Sequence, residues 1–505
     1  MSPRSRLLLF TLAGACLAVA IAVNISNESY AYAVLAALVS GWLVLQRASD
    51  AAFDAWLLAA IVVGYIVGNR GFAQLQPAAG VPLLPAEAVL LAGAAALVVR
   101  MAMKRAAAVR RDLLNTCLLA WMLLGACRLP FDLRQFGVVA LRDFAMVYYA
   151  AFFFMAQAYD PAGASARVVR RALTAAFLLL LPVVACLQVA PDFLIDHFTW
   201  RGIPIIFHKS DLIATSLACG FFWLWTRYES RGRRLWLAAA CTSLLAIGAM
   251  ASPRAAMAAV AVADLLWLLA GRWRIVAAQA AMVAAGSLIA LAVVAFSGKD
   301  LRTSAPYSVY EHAVSIFDPS GTGTYINGES GDPGGNNRFR LIWWRDVFEE
   351  TVARNPVLGL GFGSDLAAKF LADYDLLTDE SFAARSPHSM VFSVIGRMGL
   401  LGLALWLAAS AAMMRTAWTL LRHGSADDRG MASVVCVMWV SASFGVVLEG
   451  PMGAVVFWSV LGLAHARAKA PVSDPASPCT RCTSTASGEW PVAKGDAFCS
   501  ESASH

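Results

Sequence analysis

Runs of about twenty uncharged residues, rich in Leu, Val, Ala and Phe, recur along nearly the whole of this chain. Coiled as a helix, such a run crosses the roughly 30 Å hydrocarbon core of a bilayer. Inside that core every backbone N–H and C=O must be paired within the protein, so few folds remain open. Only 14% of the 505 residues are charged, against roughly 25% in soluble domains. A membrane β-barrel would instead show short alternating segments, and these are absent. The chain reads as an all-α polytopic membrane protein with about 12–14 transmembrane helices. The apolar runs centre near residues 15, 38, 59, 93, 120, 151, 181, 218, 243, 262, 286, 403, 439 and 459. The first run, "MSPRSRLLLFTLAGACLAVAIAV", reads as a retained helix, with a cleaved signal peptide as the other reading.

The net charge of +7 resides in short loops between these runs, which argues for a membrane role and against a nucleic-acid partner. With the N-terminus in the cytoplasm, "RMAMKRAAAVRR", "RVVRR", "RYESRGRR", "GRWR" and "RTAWTLLRHGSADDR" fall inside. "NISNESY", "NRGFAQLQPAAGVPLLP", "RLPFDLRQFGVVALRD", "PDFLIDHFTWRGIPIIFHKSD" and "SPR" then fall outside, where Lys and Arg are fewer, as the positive-inside rule requires. The expected organisation is an N-terminal transmembrane bundle over 1–296, a large periplasmic loop over 297–387 and C-terminal transmembrane helices over 388–467. A disordered cytoplasmic tail rich in Pro, Ser and Gly follows over 468–505. Within the large loop, "RFRLIWWRDVFEETVARNP" has apolar residues at helical spacing and a proline stop, and "SDLAAKFLADYDLL" reads as a second helix. Both membrane termini face the cytoplasm in this reading, and the membrane is the inner one.

This topology brings a set of cations to the outer face: Arg128, Arg134, Arg142, His197, Arg201, His208, Lys209, Arg254, Arg338, Arg340 and His388. Ionisable groups at the edge of membrane helices are costly and point to function, although a single arginine can also serve only as a snorkelling anchor. A guanidinium pairs bidentately with phosphate and keeps its charge. The set therefore suits an anionic head group held at the interface, such as a polyprenyl diphosphate. Arg201, Arg254 and Arg340 are the leading candidates, with Arg142 and Arg338 behind them and His208 and Lys209 as donor-site residues. "NNRFRLIWW" allows either Arg338 or Arg340. His388, which opens an apolar run directly after the loop, can act as a base, an acid or a hydrogen-bond donor.

"RLIWWRDVFEETVARNPVLGLGFGSD", followed by "SPHSMVFSVIGRMGLLGLALW", resembles the O-antigen ligase and O-antigen polymerase superfamily. The positions that carry the resemblance are Arg340, Trp343 or Trp344, Pro356, Gly359, Gly361, His388, Ser389, Gly399 and Gly402. "GIPIIFHKSDLIATSL" and "ASPRAAMAAV" resemble two further family stretches, with Ser210 where Asn is usual and Pro253 between Ser252 and Arg254. The resemblance implies a C-type glycosyltransferase that uses neither a cofactor, a metal nor a nucleotide sugar. Its donor would be a glycan on undecaprenyl diphosphate, and its acceptor a lipid A core sugar (ligase) or another lipid-linked glycan (polymerase). Family arginines hold the diphosphate, and the loop histidine, here His388, lies near the acceptor hydroxyl. The reading from another class is a transporter or flippase of lipid-linked glycans. Such proteins often carry internal repeats and mid-membrane helix breaks, and no repeat is evident in this sequence.

Overall fold

The computed structural model describes residues 51–76, 84–103, 109–250, 253–298, 300–318, 320–323, 325, 333–373 and 385–469. The runs expected near 15 and 38, and the tail from 470 onward, lie outside the described residues. The chain divides into two compact units after Ala468, and the first is the one described.

The fold is all-α. Helices α1 to α8 span Phe53–Val67, Arg70–Ala73, Pro85–Ala102, Leu113–Phe136, Val138–Tyr148, Ala151–Gln157, Ala164–Val189 and Pro191–His197. A two-stranded hairpin follows, β1 (Thr199–Trp200) antiparallel to β2 (Ile203–Pro204). Helices α9 to α12 span Ser210–Arg231, Arg234–Ile247, Arg254–Leu269 and Trp273–Ser297. The large loop contributes α13 (Ala305–Ser315), α14 (Pro333–Arg354) and α15 (Ala368–Asp373), and the chain returns as α16 (Met390–His423), α17 (Ala426–Ser443) and α18 (Pro451–Ala468).

A helix stands at every expected centre from 59 to 459. Six segments among the described residues are long and apolar enough to cross a membrane: α3, α4, α5 with α6, α7, α12 and α16. Helices α1 and α10 are apolar but shorter. Two expectations need correction. The loop expected at "RLPFDLRQFGVVALRD" is helical: α4 continues to Phe136, and α5 begins directly after Gly137, whose φ is +67°. The charges there do not break the helix, because Arg128 and Asp132 pair at i,i+4 along it. The second loop helix starts only at Ala368; just before it the Asp365 carboxylate takes the Ala367 N–H, holding a local turn.

Burial sorts the helices. Every residue of α18 from Gly453 to Ala466 is buried, and α17 and α9 are nearly as enclosed, so these three lie at the centre of a core to which α6 and the neighbouring helices also contribute. Helix α12 is the opposite case, with only Ile275 and Gln279 buried in 25 residues. A helix that is apolar all round and still uncovered suits lipid. The two ends of the bundle also differ. At one, Asp112, Arg170, Arg227, Glu229, Asp427, Arg429, His465 and Arg467 meet in ion pairs, so the three basic stretches around 167, 230 and 425 share an end. The other end carries the large loop.

Candidate functional site

At the loop end, α16 is broken. Gly399 has φ +65° and ψ −163° within an otherwise helical run. The turn Pro356–Gly361 fits into the break and satisfies its backbone: Leu360 N donates to Gly396 O at 2.6 Å, Leu400 N to Pro356 O at 2.8 Å and Leu401 N to Val357 O at 3.2 Å. Gly359 and Gly399 lie back to back. A Cβ on Gly359 would stand 2.5 Å from Gly399 N, and one on Gly399 would stand 2.5 Å from Gly359 N. The Pro-x-x-Gly-x-Gly turn and the Gly-x-x-Gly of the following helix are therefore one structural unit, which needs glycine for its close approach and positive φ.

Two ion pairs clamp this turn. The Arg128 guanidinium donates to Leu358 O and, at 2.9 Å, to Gly359 O, while pairing with Asp132 at 3.1 Å. Asp132 accepts the Phe362 N–H at 2.7 Å. Asp143 accepts the Gly363 N–H at 3.0 Å and pairs with the buried Arg397 at 2.5 Å. Arg128 thus holds the loop down, and its charge is met by Asp132.

The clamped turn fixes where α16 starts, and His388 stands two residues before it. His388 has φ +53°, and its ring lies 5.9 Å from that of Trp343. Trp343 is fully buried in the small core of the loop with Val347, Leu366, Ala367 and Phe370, and its Nε1 donates to Leu366 O. Trp344 points the other way, donating to Pro387 O at 2.7 Å and stacking on Phe392. Each tryptophan therefore braces one side of the histidine segment. Ser393, in the first turn of α16, donates to Glu449 at 2.6 Å and ties this segment to the α17–α18 connection.

Burial, and then the charges of Lys209 and Arg340, lower the His388 pKa to about 4. The imidazole is neutral at neutral pH and can accept a proton. Arg340 donates to Phe444 O at 2.8 Å, and burial pulls its pKa down against the opposing influence of Asp211. Arginine nevertheless stays charged. Lys209 lies 3.6 Å from Asp211. Its position is set by backbone stitching: Phe207 bridges Asn69, and the Asn69 side chain accepts the Lys209 N–H at 3.2 Å. Arg254, the first residue of α11, donates to Asn337 Oδ1 at 2.8 Å. Arg254 and Arg340 line one cavity of about 170 Å³, walled by Ala255, Ala258, Leu341, Trp344 and Phe444. A cleft with two guanidinium groups on an apolar wall can hold an anionic head group that carries a lipid tail.

The structure therefore brings together His388, Arg340 and Lys209, with Arg254 on the same cavity as Arg340. Of the other four candidates, three are exposed and His208 directly precedes Lys209. Arg201 is exposed at the hairpin turn with φ +53°. Arg142 is exposed on α5, where its neighbour Asp143 makes the loop contact. Arg338 is exposed and donates to Gly321 O. His208 is half-buried, and burial lowers its pKa to about 4. Sequence reasoning missed Asn69, Asp211, Asn337, Arg397 and Glu449. Arg397 and Glu449 carried a signal, since each is an ionisable residue inside an apolar run. Asn69 and Asn337 are neutral and carried none. Among the described residues, no group of three His, Cys, Asp or Glu is placed to hold a metal ion.

Broken membrane helix, clamped loop and cation-lined cleft define a polytopic α-helical membrane protein with a candidate anion-binding cleft at the loop end of the bundle. Residues 246–407 match the O-antigen ligase family, a segment that runs from just before Arg254 through the Gly399 break. The match covers that segment alone; it supports the O-antigen ligase and polymerase superfamily and, at a coarse level, glycan transfer of the ligase or polymerase type. No curated protein matches the chain.

Proposed function

We propose that the protein transfers a glycan from undecaprenyl diphosphate to an acceptor sugar at the periplasmic face of the inner membrane, in surface-polysaccharide ligation or polymerisation. The observation that carries this reading is the shared cavity of Arg254 and Arg340, with His388 within the electrostatic reach of Arg340 and Lys209. The acceptor hydroxyl attacks the anomeric carbon of the donor. The new C–O bond forms as the anomeric C–O bond to phosphate breaks, and the electron pair leaves on the diphosphate. Arg254 and Arg340 stabilise the charge that develops there. His388, neutral and partly desolvated, takes the hydroxyl proton or orients the hydroxyl by a hydrogen bond. The polyprenyl tail lies against Leu341, Trp344 and Phe444. Lipid A core or a second lipid-linked glycan is the acceptor, and the chain's own residues supply the chemistry without metal or nucleotide sugar.

The test is purified protein in nanodiscs with a polyprenyl-diphosphate glycan and no nucleotide sugar. Transfer with release of polyprenyl diphosphate is expected. Intact lipid-linked glycan appearing in the opposite leaflet of a vesicle, without transfer, would favour the flippase reading instead. Surface polysaccharide in a deletion strain separates the subtypes: free lipid-linked polymer without polymer on lipid A means ligase, and single repeat units mean polymerase. For orientation, a periplasm-active reporter fused after Gly328 is expected to be active, and one fused after Ser473 silent.

A further inference from the structure

We infer that Glu449 is a positioning residue for His388, and that the α17–α18 connection aligns His388 and Arg340 from a single segment. The role of His388 itself rests on the transfer reading above. Glu449 lies near the end of that connection, residues 444–450. Its Oε1 accepts the Ser393 hydroxyl at 2.6 Å, the short spacing of a hydroxyl that donates to an ionised oxygen. Ser386 also hydrogen-bonds Glu449, and its Oγ lies 3.3 Å from Ser393 Oγ. Ser386 precedes His388 by two residues and Ser393 follows it by five. One carboxylate therefore ties down the chain on both sides of the histidine.

The histidine needs such a tie. Its φ of +53° is costly for a residue with a Cβ and is kept only where the surroundings fix it. Among the described residues none hydrogen-bonds the His388 ring, which meets only the ring of Trp343, so the aim of the imidazole follows from its backbone. A carboxylate suits the task because its two oxygens can accept from both serine hydroxyls, whereas an amide offers one acceptor oxygen. Burial raises the Glu449 pKa, and the Ser386 and Ser393 hydroxyls with the charges of Arg397 and Lys209 oppose that rise. The charge of Lys209 also reaches His388. At its other end the same connection presents Phe444 O to Arg340. The group that meets the leaving charge and the group that meets the acceptor are thus held by one short segment. A misplacement of about 1 Å between such groups can cost about a hundredfold in rate.

The experiment uses the full chain in nanodiscs and two readouts, modification of His388 by diethyl pyrocarbonate, followed by mass spectrometry, and glycan transfer. Glu449→Ala is expected to speed modification of His388 about tenfold, as for loss of a hydrogen bond to a charged group, while the exposed His197 reacts at its wild-type rate. Glu449→Gln keeps one acceptor oxygen and guards against misfolding of Glu449→Ala; it is expected to give a smaller increase with an unchanged melting temperature. Transfer by Glu449→Ala is expected to lose at least about tenfold in kcat with the acceptor KM unchanged. In a His388→Ala background, Glu449→Ala is expected to cause no further loss, because it acts through the histidine. A merely structural role would lower the residual rate again. Wild-type modification of His388 in both Glu449 variants, or a further loss in the His388→Ala background, would overturn the inference. Faster modification in the variants with no transfer by the wild type would uphold the positioning and overturn only the proposed reaction.

Discussion

The two ends of the helix bundle treat their cations differently. At the end away from the loop, arginines meet carboxylates: Arg227 lies 2.6 Å from Asp427 and Arg429 lies 2.7 Å from Glu229. At the loop end the clamping arginines Arg128 and Arg397 are also matched, by Asp132 and Asp143. In the cleft, however, Arg340 donates to a backbone carbonyl. Neutral acceptors orient a guanidinium and leave its charge for a ligand, whereas carboxylates consume that charge in structure. The difference separates arginines that hold the fold from arginines that can work.

The largest expected effect breaks this contrast on its functional side. His388→Ala and Arg340→Ala are each expected to lower transfer by at least about a hundredfold while the protein accumulates normally, as for loss of a base or of a charge-stabilising donor. Near-normal rates in either variant would remove that residue from the reaction. Arg340→Lys keeps the charge and loses the planar fork, so it is expected to remain impaired.

Gly399→Ala addresses the scaffold shared by both halves of the site. Positive φ alone costs about 1–3 kcal/mol, and the new Cβ also collides with the Pro356–Gly361 turn. A lower melting temperature together with lost transfer is expected. Wild-type stability would mean that the helix break is not fixed by the turn.

A smaller effect is expected at the paired end. Asp427 lies 2.6 Å from Arg227 and 3.7 Å from Arg170 and is one-third exposed. Asp427→Ala is expected to cost about 1–2 kcal/mol of stability, reduced by that exposure. Transfer per folded molecule is expected to be unchanged, and thermal melting with a rate assay would read both quantities.

The pH response refines the picture of the cleft. An isolated imidazole base would give an acid limb near pH 6.5. Burial and the neighbouring cations instead place His388 at about 4. Transfer is therefore expected to persist through pH 6 and to fall only on approach to 4. A limb centred near 6.5 would mean that His388 is solvated and distant from Arg340 and Lys209. Stability has the same sign. Unfolded histidines take up protons below roughly pH 6.5, whereas folded His388 and His208 do so only near 4. Stability is thus expected to decline as pH falls through that interval, and melting temperatures across a pH series would check it.

The helices were legible in the sequence because the bilayer constraint is local: each apolar run must satisfy its own backbone. The run of α4 through Arg128 and Asp132 was not, because paired charges within a helix resemble a loop when read one at a time. His388, Arg254 and Arg340 stood out as ionisable residues at the edges of apolar runs. Whether Arg338 or Arg340 faces the cleft was not decidable from spacing; the structure turns Arg340 toward Phe444 and leaves Arg338 exposed. Asn337 was invisible, because its partner Arg254 lies 83 residues away and its type carries no charge. The glycine motifs were visible as motifs, but their back-to-back contact across α16 belongs to tertiary structure alone.

The central claim is that the cleft arginines, and not those of the paired end, serve a diphosphate-linked donor. The direct measurement is glycan transfer from a polyprenyl-diphosphate donor by wild type, Arg340→Ala and Asp427→Ala side by side, each corrected for folded protein. The account predicts transfer by wild type and Asp427→Ala and its loss in Arg340→Ala. Equal rates in wild type and Arg340→Ala, or loss confined to Asp427→Ala, would contradict it.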